Sequence, residues 1–200
     1  MSLTYPLSIP NSRHLKKMTP KTRSMVGVSE SPFTFEQQAY VHQGQKWAFD
    51  VELIPMERAT AAAWLAFLVG LNGREGTFYL GDPKGAAPQG TWTTGVLVDG
   101  ASQTGRSLNV RAAAPFATGK AGDYFQLSTG YLHMLTKDVT FDSNGTALLD
   151  FWPRLRASPA DGDALTLLNP VCLCRLESNE NQWTMEELMY GLSFSCAEAL

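Results

Sequence analysis

The chain has 200 residues, is 44% hydrophobic and 18% charged, and carries a formal net charge of −3. A chain of this size buries roughly 70% of the surface that its unfolded form exposes, so it builds a real core without covalent staples. The leading residues show no charged segment followed by an apolar one, and Ala61 to Gly70, the longest apolar run, is short of the ~20 residues a bilayer span needs. Three cysteines do not all pair, which points to a reducing compartment. These features exclude secreted disulfide scaffolds, membrane-spanning helices and disordered chains.

Charge is unevenly distributed. Arg13, Lys16, Lys17, Lys21 and Arg23 precede the first acid, whereas Glu177, Glu180, Glu186, Glu187 and Glu198 follow the last cation, Arg175. The basic start reads as a solvated arm or as a docking arm for an acidic neighbour. With no aromatic residues interleaved among the cations and an acidic body, no specific nucleic-acid binding is expected.

Strand signals dominate in chain order. Ser31 to Gln37 alternates, Gln43-Gly44-Gln45 marks a turn, and Trp47-Ala-Phe-Asp-Val-Glu-Leu53 puts its large apolar residues on one face. Phe33 to Leu53 is therefore expected to be an antiparallel hairpin. Pro55 and Glu57 open a helix over Arg58 to Leu71, with Ala61, Trp64, Leu65, Leu68 and Leu71 at helical spacing and Asn72-Gly73 as its stop. The Trp/Leu stripe is expected to be core. Thr-Gly pairs at 94–95, 104–105, 118–119 and 129–130 punctuate short β-like runs, which suggests a small antiparallel barrel. Asn144-Gly145 predicts a type I′ hairpin with arms Leu135 to Phe141 and Thr146 to Trp152. Leu192 to Cys196 alternates and is expected to join the sheet of Trp47 to Leu53. Gly/Pro-rich junctions at 81–90 and 153–162 divide the chain. The expected organisation is a mainly β, α+β fold: a split β domain with one covering helix from 1–89 and 165–200, and an inserted, OB-like antiparallel barrel at 90–164.

The chemistry-bearing motifs are weak. Gly100 to Ser107 matches a phosphate-binding loop except for Arg106 in place of lysine, but a strand pattern follows where that loop needs a helix. Cys172-x-Cys174 lacks zinc-ribbon spacing, and Cys196 sits alike in its own strand, so the thiols are expected to pack inward. His14, His42 and His133 form no ligand motif. Gly191 to Ser195 lacks the final glycine of a nucleophile elbow, and Asp99, Asp123, Asp138 and Asp142 occupy positions where turns favour Asp. No catalytic residue, cofactor or metal is expected, and the chain does not read as an enzyme. Trp92, Trp152, Trp183, Tyr124 and Tyr131 are either core or a sugar-stacking platform.

Trp47 to Val51, Pro55-Met56, Ala63 to Leu68, Leu71 to Gly73 and Gly76 to Pro83 together resemble distal tail proteins of long-tailed bacteriophages and prophages. Gly122 to Phe125, Asp138 to Gly145 and Trp152 to Arg156 resemble the same family. The resemblance implies a ring-forming β domain with an inserted OB-like barrel, and a non-enzymatic adaptor of the virion, assembled in the host cytoplasm. The implied partners are further copies in a hexameric ring, the tail tube protein and the tail hub or tip proteins, with DNA passing through the ring. A receptor-facing carbohydrate-binding module of a tail is the alternative. A ring needs two unlike faces, and the expected contact places Arg13, Lys16, Lys17, Lys21 and Arg23 of one subunit against Glu177, Glu180, Glu186 and Glu187 of the next.

Overall fold

The computed structural model describes residues 3–200. Its elements in chain order are β1 (Leu7–Ser8), β2 (Leu15–Glu30), β3 (Gln37–Leu53), β4 (Met56–Glu57), α1 (Arg58–Gly70), β5 (Phe78–Leu80), β6 (Leu97–Val98), β7 (Ser107–Arg111), β8 (Thr118–Gly119), β9 (Tyr124–Gln126), β10 (Leu132–Leu135), β11 (Val139–Thr140), β12 (Ala147–Trp152), β13 (Cys172–Leu176), β14 (Trp183–Glu186) and β15 (Met189–Glu198). The fold is mainly β with a single α-helix among the described residues.

Strands from both ends of the chain build one curled sheet in the order β1-β5-β13-β15-β3-β2. As the alternation requires, β15 joins β3 antiparallel, with Ser193 opposite Glu52 and Cys196 opposite Phe49. Trp47, Phe49, Val51 and Leu53 bury one face of β3, and Phe194 and Cys196 continue that face on β15. Helix α1 covers it with Ala61, Trp64, Phe67 and Leu68. Trp64 is fully buried and its indole N–H donates to His14 Nδ1 at 3.1 Å. Asn72 and Gly73 both take positive φ and end the helix; a β-carbon on Gly73 would meet the Asn179 backbone at 2.9 Å.

The middle of the chain forms a second sheet, β6-β7-β12-β10-β9, beside the pair β11-β8, around its own core of Trp92, Phe125, Phe141 and Phe151. Bridges from Leu97 to Ala164 and from Gln126 to Thr166 tie both outer strands to one returning segment, so this sheet curls round on itself. Three of the four Thr-Gly pairs are turns with glycine at positive φ. Gly119 instead lies in β8, where a β-carbon would stand 2.8 Å from Val139.

Three sequence expectations are corrected. Gln43-Gly44-Gln45 is not a turn: β3 runs through it, and the chain reverses at Ser31–Glu36. There the Ser31 hydroxyl accepts weakly from the Phe33 and Thr34 N–H groups at 3.4 Å, and Ser31 N–H donates to the Glu36 carbonyl. The basic start is no free arm, because Lys16 to Arg23 lie in β2, paired to β3. The Asn144-Gly145 turn is not type I′, since only Gly145 has positive φ. Asp142 organises it by accepting from Asn144 N–H, Thr146 N–H and the Thr146 hydroxyl, all at 2.8 Å. Its expected first arm splits accordingly, with Leu135 pairing to β12 and Val139 to Gly119.

Cys172, Cys174 and Cys196 are free thiols buried together beneath the sheet. Hydrogen bonding with Cys172 and Cys196, together with burial, pushes the Cys174 thiol well above its ordinary range. A thiol held neutral and dry is a poor nucleophile. A thiol-reactive dye is expected to label none of the three rapidly in the native protein and all three in denaturant. Rapid native labelling of any one would place it at the surface.

Candidate interaction surface

β2 and β3 pair from Leu15–Leu53 at the base to Glu30–Gln37 at the tip, with a bulge between Ser24 and Val26. Only the lower half packs on the body. From Pro20 to Gly44 every residue except the half-buried Ser31 is exposed. Beyond Ser24 and Gln45 the hairpin is a bare two-stranded ribbon projecting about 20 Å at ~3.3 Å per residue. It is apolar on both faces. Cross-strand pairing puts Val26 and Val41 on one face with Val28 and Ala39, while Tyr40, opposite Gly27, points the other way. Phe33, 92% exposed, and Phe35 stand at the tip. An isolated two-stranded ribbon is marginal in water, and apolar surface on both its faces is normal only where something covers it.

The charged residues singled out in the sequence fall around the root of this ribbon and across the sheet. Lys16 bonds Glu52 at 2.6 Å, Lys21 pairs with Asp50, and Arg23 meets Glu177 at 2.5 Å. These contacts lie within one chain. The Lys21 and Ser195 hydrogen bonds hold the Asp50 carboxyl below its usual range, and Lys16 does the same for Glu52. Lys17 and Glu180 line a groove of about 830 Å³ whose floor includes Thr19, Asp50, Ser193 and Ser195. Arg13 sits in a 3-10 turn (Ser12–His14), Glu186 on β14 and Glu187 at the β14–β15 turn. Of the expected pairs, only Arg23 and Glu177 are brought together.

The groove mixes polar and apolar side chains, and no histidine or cysteine lines it; the Ser195 hydroxyl on its floor donates to Asp50 at 2.8 Å. Among the described residues no cluster of three or more His, Cys, Asp or Glu is placed to hold a metal ion, and no helix is long and apolar enough to cross a membrane. Gly100 to Arg106 is a loop that leads into strand β7 and no helix, as the sequence pattern indicated. Asp123 is a buried loop tie: it accepts from Gln89 N–H at 2.7 Å, Lys120 N–H at 2.9 Å and the Trp92 indole at 2.9 Å. The five aromatics do not assemble a sugar platform. Trp92 is buried, Trp152 packs edge-on to Trp47, Tyr124 also packs on Trp47, and Arg156 covers Tyr131. Trp183 is half exposed on its own.

Sequence reasoning missed the ribbon's apolar residues, above all Met25, Val26, Val28, Tyr40 and Val41. The run Met25-Val-Gly-Val28 was their one signal. No family model matches the chain, and no curated protein is significantly similar to it.

Proposed function

We propose that the protein is a structural component of a phage tail tip, an adaptor whose copies close into a ring joining the tail tube to the tip hub. The observation that carries this reading is the bare β2–β3 ribbon. It is too long and too apolar to stand in water alone, and the body of its own chain leaves it uncovered. A second copy offers the cover. A projecting ribbon received by a different face of the neighbour is a heterologous contact, which propagates head to tail and gives a ring when the rotation between copies closes. In this reading the remaining faces meet the tube and hub proteins, and the virion is the site of action. Native mass spectrometry with negative-stain imaging tests it. A closed ring is expected, a hexamer on the tail-protein resemblance. A monomer at every concentration measured overturns the reading.

A further inference from the structure

The curled sheet has two kinds of free edge. The lower part of β2 is guarded, with Lys16, Lys17, Pro20 and Lys21 in one run, the residues that keep foreign strands away. β14 is not guarded. It pairs only with β15, its other edge makes no backbone hydrogen bond among the described residues, and 181–189 contains no Lys, Arg or Pro. Its side chains are exposed, with Met185 at 67% and Trp183 beside it, and the turn that follows holds Leu188 at 92% exposure. Glu187 and Leu188 both take positive φ, a strained backbone for a leucine left almost fully exposed. The ribbon carries the matching half: 24–29 and 38–43 are two runs without a formal charge at neutral pH, rich in Val, Met and Tyr, and also unguarded.

We propose that the ribbon of one copy adds as a strand to the β14 edge of the next, making one sheet across the subunit boundary. This rests on the ring reading above and names the face that receives the ribbon. Strand addition satisfies the open backbone edges of both partners, and Val26, Val28 and Val41, which share one face of the ribbon, cover Trp183 and Met185, which share one face of β14. Charge sets the direction. Glu186 and Glu187 have no cation partner among the described residues, and Lys46 at the ribbon's root has no anion partner, whereas Glu30 and Glu36 stand at the ribbon's tip. The glutamates of β14 therefore lie toward the root of the incoming ribbon and Trp183 toward its tip; the reverse would set acid against acid.

The test uses two variants of the full chain. One carries Trp183→Lys and Met185→Lys, which guards the receiving edge. The other carries Val26→Lys and Val41→Lys, which spoils the ribbon. All four side chains are exposed, so an unchanged melting temperature is the expected control. By native mass, the wild type forms a ring and each variant is a monomer. An equimolar mixture forms a heterodimer and nothing larger, because each variant retains one good half. A β14 variant that still forms rings while the ribbon variant does not puts the ribbon elsewhere and overturns the proposal, leaving the ring reading intact. A mixture that stays monomeric overturns it as well. A monomeric wild type removes the ring reading itself. If the double β14 substitution lowers the melting temperature, Met185→Lys alone carries the same readout.

Discussion

Replacing Glu198 with alanine is expected to lower stability by about 3–5 kcal/mol, the range for breaking one half of a buried ion pair. The Glu198 side chain is 1% exposed. Its two oxygens accept from the Arg156 guanidinium at 2.5 and 2.6 Å, and Oε2 accepts from the Trp47 N–H at 3.1 Å. Arg156 also donates to the Gln45 carbonyl at 2.8 Å and lies over the Tyr131 ring at 4.8 Å. Alanine would leave that largely buried guanidinium without its counter-charge, and would strip the Trp47 N–H of its acceptor. Burying a charge without a partner costs far more than a hydrogen bond contributes. The double replacement Arg156→Met with Glu198→Met removes both charges and is expected to cost clearly less than the single one. Urea unfolding of the three proteins measures this. Equal losses in the single and double variants would mean that the pair itself, and not its broken half, carries the energy.

That clasp also bears on how the two cores are joined. Arg154 and Arg156 leave the inserted strands just after β12, and both bind Gln45, through its side chain and its carbonyl respectively. Trp47 also holds the inserted strands: its indole donates to the Leu132 carbonyl on β10 at 2.9 Å and its ring meets Trp152, the last residue of β12, edge-on at 4.6 Å. The Arg/Pro-rich stretch that composition marks as a junction is thus a fastening, held by the Arg156–Glu198 ion pair and by the Trp47–Trp152 contact beside it.

Where one face of an element is buried, the sequence shows it. Trp47 to Leu53, Leu192 to Cys196 and the stripe from Ala61 to Leu68 each have a core on one side and solvent on the other, and so carry a period. The ribbon has no buried face, so nothing in Ser24 to Gln43 fixes a period. Gly44 then looks like a turn although it lies in a strand, and Phe33 and Phe35 look like a strand although they form the turn. Asn144-Gly145 misled for another reason, since Asp142 supplies the hydrogen bonds that a type I′ backbone was expected to supply. The charge clusters at the two ends were visible as clusters, but composition does not say which acid meets which cation. Arg23 with Glu177 is separated by 154 residues, and Glu198, one of five acids in an apparently solvated tail, is the buried one. Only the closing of the sheet decides these pairings.

Stability is expected to fall as the pH drops from about 6.5 to about 4, by about 3 kcal/mol in all, through His133 alone. This imidazole is buried between Phe125 and Phe151, with ring centroids 5.3 and 5.0 Å away. Its Nδ1 lies 2.8 Å from the Pro153 carbonyl, which makes Nδ1–H the donor, and Nε2 has no partner among the described residues. Burial holds the ring neutral and lowers its pKa to about 4; the Pro153 carbonyl opposes this and the Arg156 charge adds to it. The unfolded chain takes up a proton at the ordinary value of 6.5. Between these two values the unfolded state binds more protons than the native one, so lowering the pH favours unfolding, at up to ~1.4 kcal/mol per pH unit. Below about 4 both states are protonated and the loss is complete. His133→Phe keeps the aromatic packing, gives up the Pro153 hydrogen bond at a cost of about 1 kcal/mol, and has no proton to bind. Urea midpoints taken from pH 7 to pH 4 are expected to fall steeply for the wild type and much less for the variant. Parallel curves would show that the slope comes from other groups and that His133 reaches water before it titrates.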